Sequence, residues 1–144
     1  MKIALLGYGK MGKLIEREAL LKNHEIVLRT NSQERDFSKI NNADICIDFS
    51  HSESVIAHLS ECVNQKKNLI IGTTGWEEKI PDAKKLVEKS GIGVLYAPNF
   101  SLGVHHFIKI LEYAAKALGE YDAAGVEWHH NQKKDAPSGT AKEI

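Results

Sequence analysis

Lys2-Ile3-Ala4-Leu5-Leu6-Gly7-Tyr8-Gly9-Lys10-Met11-Gly12 is the stretch that decides how this chain is read. Five residues of strand character run into a G-x-G-x-x-G and then into a segment of helical periodicity. Only glycine lets the backbone turn this tightly and approach a pyrophosphate, whose charge the amides of a helix N-terminus would meet. A bare glycine spacing is shared by many turns. Its place between a strand and a helix, at the head of alternating elements, makes Gly7, Tyr8, Gly9, Lys10, Met11 and Gly12 candidate dinucleotide contacts.

Outward from this turn the chain repeats the same beat. The apolar spacing predicts a helix over Lys10 to Lys22, with Met11, Leu14, Ile15 and Leu21 on one side, and a second strand over Glu25 to Leu28. Thr30 to Asn42 is polar and reads as a surface loop with room for a short helix. Strands follow at Ala43 to Phe49, Asn68 to Ile71 and Ile92 to Tyr96, separated by helices at Ser52 to Gln65 and Pro81 to Lys89. Short, continuously apolar strands joined by helices predict an α/β domain, a doubly wound parallel sheet covered on both faces.

The pattern changes after Pro98. A long amphipathic helix is expected over Val104 to Leu118, ended by Gly119, then a strand over Ala123 to His129, a polar loop, and a helix opening at Ser138. We therefore read residues 1–100 as a dinucleotide-binding domain and 101–144 as the start of an α+β substrate domain. A strand, a loop and barely one turn of helix do not make a core, so the second domain is expected to be truncated.

Composition narrows the functions without naming one. The 144 residues carry 19 basic and 19 acidic side chains, so there is no general attraction to nucleic acid or to anionic membranes. Apolar runs fall far short of the roughly 20 residues of a membrane span, and the N-terminus lacks a signal-peptide core. A chain of this size buries about two-thirds of its unfolded surface, enough for a core without disulfides or metals. Cys46 and Cys62 are isolated in sequence, which fits reduced thiols in a cytosol.

Two further strand ends carry small or polar residues on the side where such sheets bind ligands: Gly72-Thr73-Thr74-Gly75 and Ala97-Pro98-Asn99-Phe100-Ser101. An acidic residue at the end of the second strand would hold the adenosine ribose, but that region reads Leu28-Arg29-Thr30-Asn31-Ser32. Arg29, Thr30 and Ser32 could instead meet a 2′-phosphate, a lean toward NADPH; Arg29 could equally be a solvated strand-end charge. Asp44 and Asp48 read as markers of the third strand's ends, and His105 and His106 as packing or capping residues.

The densest chemistry is Glu127-Trp128-His129-His130-Asn131-Gln132-Lys133-Lys134-Asp135-Ala136-Pro137-Ser138-Gly139-Thr140-Ala141. Two imidazoles and two ammonium groups flank a loop ending in Ser-Gly-Thr, a set suited to a carboxylate or phosphate and to proton exchange near neutral pH. Adjacent histidines point apart and no H-x-x-x-H or C-x-x-C completes a ligand set, so no metal is expected. A Ser138-His129-Asp135 hydrolase lacks a G-x-S-x-G elbow.

Taken together, the Gly7 to Gly12 turn, the Gly72 to Gly75 and Ala97 to Ser101 loops, and above all E-x-H-H-x-x-K-x-D-A-P-S-G-T-A from Glu127 to Ala141 resemble the dihydrodipicolinate (4-hydroxy-tetrahydrodipicolinate) reductase family, over almost the whole chain. The resemblance implies a Rossmann-like nucleotide domain and NADPH- or NADH-dependent formation of tetrahydrodipicolinate in the diaminopimelate route to lysine, by a cytoplasmic homotetramer. It makes His129 the acid/base residue and Lys133 the proton donor. His130, Ser138, Gly139 and Thr140 would contact the cyclic dicarboxylate. Gly72, Thr73, Thr74, Ala97, Pro98, Asn99 and Phe100 would line the nicotinamide side. It also implies a longer protein. The alternative is a nicotinamide-nucleotide sensor, or an inactive fragment, that binds without turnover.

Overall fold

The computed structural model describes residues 1–31, 36–129, 131 and 136–144. They form two compact units, Met1–Ala97 and Pro98–Ile144.

The first unit is a five-stranded sheet, every pair of neighbours parallel: β1 (Lys2–Leu6), β2 (Glu25–Thr30), β3 (Ile45–Asp48), β4 (Asn68–Ile71) and β5 (Val94–Tyr96), in the order β2-β1-β3-β4-β5. The helices α1 (Lys10–Leu21), α2 (Val55–Asn64) and α3 (Ile80–Glu88) connect them. The doubly wound parallel sheet read from the sequence is the fold found, and β1 and β4 have the bounds expected of them. The order reverses at β1: β2 lies on one side and β3 on the other. In such sheets ligands bind outside the carboxyl ends of the strands at this reversal.

Period-two alternation sends β1 into two cores. Ala4 and Leu6 join Cys46, Leu59, Leu69 and Ile71 under α2 and α3, whereas Ile3 and Leu5 join Ala19 and Ile26 under α1. Ile40, fully buried in the single 3-10 turn Ser38–Asn42, belongs to the first of these cores, so the segment before β3 is not all surface loop. Cys46 and Cys62 are free and buried, and they meet in that core; the hydrogen bond with the Cys46 thiol, and then burial, push the Cys62 pKa up.

The buried face of α1 differs from the one expected. Gly12 and Ala19 are buried and Ile15 packs with them, while Met11, Leu14 and Leu21 are 46%, 46% and 73% exposed. The reason is closeness of approach: small side chains let the helix seat on the sheet, and the larger ones turn outward.

The second unit contains α4 (Leu102–Ala117) and α5 (Gly139–Glu143). Ser101 caps α4, its Oγ accepting from the Val104 amide at 3.4 Å, and His105 and His106 lie exposed in the first turns, so neither packs nor caps. Ala123 to His129 is not a strand. Among the described residues nothing pairs with it, and a strand without a ladder partner leaves its backbone to solvent; Val126 and Trp128 are more than nine-tenths exposed.

Candidate functional site

The ends of β1, β2 and β3 enclose a pocket of about 370 Å³ at the reversal of strand order, lined by Gly7, Tyr8, Gly9, Thr30, Asn31, Phe49, Ser50, His51, Ser54 and His58. A larger apolar groove of about 820 Å³ runs beside β5, lined by residues such as Leu59, Trp76, Val87 and Ile92. Its lining is mostly apolar, with Lys84, Glu88 and Tyr96 as its polar members, and it lies away from the reversal of strand order. The smaller pocket has both the place and the chemistry for a nucleotide.

Each glycine of the opening turn has a separate job there. Gly7 sits at φ +98°, and a Cβ on it would come 2.5 Å from the Phe49 carbonyl, so both its conformation and its neighbour require glycine. Gly12 leaves the space that the Gly7 carbonyl occupies as α1 closes on β1. Gly9 faces open space, with nothing within 4 Å of where a Cβ would stand. The first amides of α1 have no partner within the helix and its first turn carries no acid, so the turn offers donors and a positive dipole end to an anion approaching Gly9.

Arg29 leaves β2 beside this turn. Its guanidinium bonds Glu16 through Nε at 2.8 Å and again through Nη2, and lies 5.8 Å from the Tyr8 ring centre; the Tyr8 hydroxyl donates to the other Glu16 oxygen. The hydrogen bonds from Arg29 and Tyr8 hold the Glu16 carboxyl below its ordinary value. Arg29 is therefore not simply a solvated charge: Nε and Nη2 face Glu16, while 42% of the side chain stays exposed beside the turn. Thr30 is buried, and its Oγ1 accepts from the Gly7 amide at 3.2 Å, holding the turn itself. Ser32 lies outside the described residues.

The β4 loop is pinned from beneath. Trp76 Nε1 donates to the Thr73 carbonyl at 2.8 Å, and its ring meets Tyr96 edge-on. Burial and the hydrogen bond to Glu77 push the Tyr96 hydroxyl pKa up. Thr73 is buried with its hydroxyl turned inward, whereas Thr74 is exposed at the mouth of the loop. Ala97 ends the first unit, its amide bonded to the Ile71 carbonyl at 3.2 Å.

Two residues join these loops: Asp48, which ends β3 as expected of it but does more than mark that end, and His58, to which the sequence assigns no role. Asp48, fully buried at the end of β3, accepts at Oδ1 from Ser50 N (2.9 Å), Ser50 Oγ (2.7 Å) and Thr73 Oγ1 (2.8 Å), and at Oδ2 from His58 Nδ1 (2.7 Å). Burial alone would raise its pKa; the His58, Ser50 and Thr73 hydrogen bonds outweigh that and hold it below the ordinary carboxylate value. An ionised Asp48 only accepts, which assigns the proton to His58 Nδ1. The signal was present: Val55, His58, Leu59 and Cys62 fall at i, i+3, i+4 and i+7, so His58 lies on the buried stripe of α2, and Asp48 shares the buried face of β3 with Cys46.

In the second unit, Glu127 draws two segments together. Its carboxylate accepts from His129 Nε2 at 2.6 Å and from the Ser138 amide at 3.0 and 3.2 Å. The hydrogen bonds from Ser138 and His129 bring the Glu127 pKa down to about 2. Ser138 caps α5, its Oγ accepting from the Ala141 amide at 3.0 Å, and Gly139 and Thr140 open that helix. Asn99 Nδ2 donates to Thr140 Oγ1 at 3.4 Å, and Asn99 Oδ1 accepts from the Ser101 amide at 2.7 Å. Pro98 and Phe100 flank Asn99 in the same unit, Phe100 47% exposed. His130 and Lys133 lie outside the described residues. Among those described, no three His, Cys, Asp or Glu are placed to hold a metal ion, and no helix is long and apolar enough to cross a membrane.

Comparison with known proteins covers both units. Residues 1–100 match the family model described as dihydrodipicolinate reductase, N-terminus, and residues 103–144 the one described as dihydrodipicolinate reductase, C-terminus. The chain is 41% identical over 149 residues to the 4-hydroxy-tetrahydrodipicolinate reductase of Staphylococcus saprophyticus, covering 97% of this chain and 61% of that protein. It is 34% identical over 165 residues to the enzyme of that name from Archaeoglobus fulgidus, covering 100% of this chain and 63% of the relative. A solved structure, dipicolinate-bound dihydrodipicolinate reductase from Paenisporosarcina sp. TG-14, superposes with a TM-score of 0.77 at 27% identity, over 99% of this chain and 63% of that one. The chain thus spans less than two-thirds of the length of these relatives.

Proposed function

The chain belongs to the dihydrodipicolinate reductase family, and from that premise we propose that it serves the NADPH- or NADH-dependent reduction of 4-hydroxy-tetrahydrodipicolinate (dihydrodipicolinate) to tetrahydrodipicolinate, in the diaminopimelate route to lysine. Residues 1–100 are the dinucleotide domain and 101–144 the opening of the substrate domain. The working protein is a cytoplasmic homotetramer acting on a small cyclic dicarboxylate.

The observation that carries this reading is the seat of the Gly7 to Gly12 turn on the pocket at the reversal of strand order. Gly9 and the first amides of α1 meet the pyrophosphate. Thr74 and the Ala97 to Phe100 stretch border the nicotinamide, and Gly72 and Thr73 hold their loop in place. The nicotinamide supplies a hydride, two electrons with one proton. The 4-hydroxy substrate would first shed its hydroxyl, with a proton, as water to give the conjugated imine dihydrodipicolinate; the electron density left when that imine is reduced would take a second proton, for which the chain offers His129 and Lys133. Lys133 also offsets the charge of the two carboxylates, with His130, Ser138, Gly139 and Thr140 as further contacts. Glu127 accepts from His129 Nε2, and on this reading Nδ1 is the nitrogen that exchanges a proton with the substrate.

Arg29 bears on the choice between nucleotides. Glu16 competes with a 2′-phosphate for Arg29, and the cofactor is taken as NADPH or NADH without a preference between them. The test is to supply freshly generated dihydrodipicolinate and follow NADPH absorbance, with His129→Gln and Lys133→Ala as controls. Substrate-dependent oxidation that either control lowers by about 10²-fold or more supports the reading. With the full-length protein, tight nucleotide binding and no such oxidation would make it a nucleotide sensor instead; the same result with these 144 residues alone would mark an inactive fragment.

A further inference from the structure

A buried carboxylate is an expensive way to finish a core, since its desolvation must be offset by hydrogen bonds that are all made well. Asp48 makes four, and none of them merely fills space. Three go to the two loops beside the pocket. Ser50 is gripped through both its amide and its hydroxyl, and its amide also donates to Thr73 Oγ1 at 2.8 Å, so the loop after β3 and the loop after β4 are cross-linked through one carboxylate. The fourth bond goes to His58, which itself lines the pocket and is held edge-on against Phe37, 5.4 Å between ring centres. Gly72 N adds a bond of 2.9 Å to the Asp48 carbonyl.

We infer that Asp48 and His58 form a positioning pair that sets the wall of the nucleotide pocket in its binding shape before a nucleotide arrives; neither touches the reacting atoms. The inference rests on the nucleotide reading above and adds residues to it. Ser50 and His51 are on the wall that Asp48 holds, and Phe49, between them and β3, places its carbonyl over Gly7. Losing the imidazole leaves Oδ2 buried and unpaired. Water or a shifted loop must then satisfy it, and the pocket loses its shape at a distance from any ligand contact.

Two substitutions separate positioning from plain stability. His58→Leu keeps an apolar filler and removes the donor; His58→Asn places an amide donor where Nδ1 stands, toward Oδ2. Three quantities are read well below each variant's melting temperature: the NADPH dissociation constant by fluorescence titration, amide exchange at Ser50 without nucleotide, and the melting temperature. His58→Leu should weaken NADPH binding about tenfold or more, the equivalent of one buried unpaired polar group, and accelerate Ser50 exchange. His58→Asn should recover most of both. A lowered melting temperature with unchanged affinity in His58→Leu, or no recovery in His58→Asn, would overturn the inference. If His58→Leu does not fold, Ser50→Ala removes one bond to Asp48 at a half-buried position and should weaken binding in the same direction; unchanged affinity there counts against it equally. Wild-type protein that binds neither NADPH nor NADH would bring down the nucleotide reading, and the inference with it, whereas normal wild-type binding with indifferent variants would remove the inference alone.

Discussion

At the residue scale, the three glycines of the opening turn separate fold from function, because only two of them have neighbours where a Cβ would go. Gly12→Ala drives a methyl into the Gly7 carbonyl, and the resulting shift of α1 should cost about 1–3 kcal/mol by denaturant unfolding, more than the gain in helix propensity returns. Gly9→Ala meets nothing and should change stability by less than about 1 kcal/mol, yet it places a methyl where, on the proposed reading, a pyrophosphate approaches. Titration with NADPH should then show affinity lowered by about tenfold or more, the loss of roughly one good polar contact. The motif was legible as a motif from its spacing. Which glycine does which job was not, because that depends on Phe49, some forty residues away in the chain.

At the element scale, the strands were easier to read than the helix faces. A parallel strand buried on both sides is a short apolar run whichever way it points, so β1 and β4 could be bounded from sequence. The face of α1 was misjudged because hydrophobicity favours Met11, Leu14 and Leu21, whereas the sheet selects Gly12, Ile15 and Ala19 for their size and shape. Ala123 to His129 has strand composition without a strand's partner. What organises that segment instead is Glu127, joined to His129 and to the start of α5. Its carboxyl titrates at about 2 because it accepts from Ser138 and His129. A depressed carboxylate pKa contributes above the ordinary carboxylate value and is lost as pH falls through the lowered one. The contribution of Glu127 to stability should therefore be full above about 4.5 and fall away as pH drops toward 2, while the link itself persists until the carboxyl protonates, with its midpoint at about 2. Carboxyl-detected NMR of Glu127, with the His129 ring nitrogens followed in parallel, checks this; a Glu127 midpoint near 4.5 would refute the pairing.

At the scale of the whole molecule, both buried clusters are built entirely from residues between Ile3 and Tyr96. The first unit accordingly has its own core and its own pocket. We expect residues 1–97 expressed alone to give a cooperative thermal transition and to bind NADPH, with no oxidation on adding dihydrodipicolinate, since His129 and Lys133 lie outside it. Circular dichroism and a nucleotide titration decide the matter. A non-cooperative transition would mean that the unit draws its stability from beyond Ala97.

By itself the sequence determined the alternation of elements, the parallel doubly wound sheet, the glycine turn and the family, because each of these is carried by local spacing or by contiguous motif residues. Only the tertiary structure decided that Arg29 is claimed by Glu16, that Thr73 faces inward, and that Asp48 and His58 tie two loops of the pocket together. These are contacts between residues about 10 to 25 positions apart, and no local pattern encodes a pairing that exists only once the strands lie side by side.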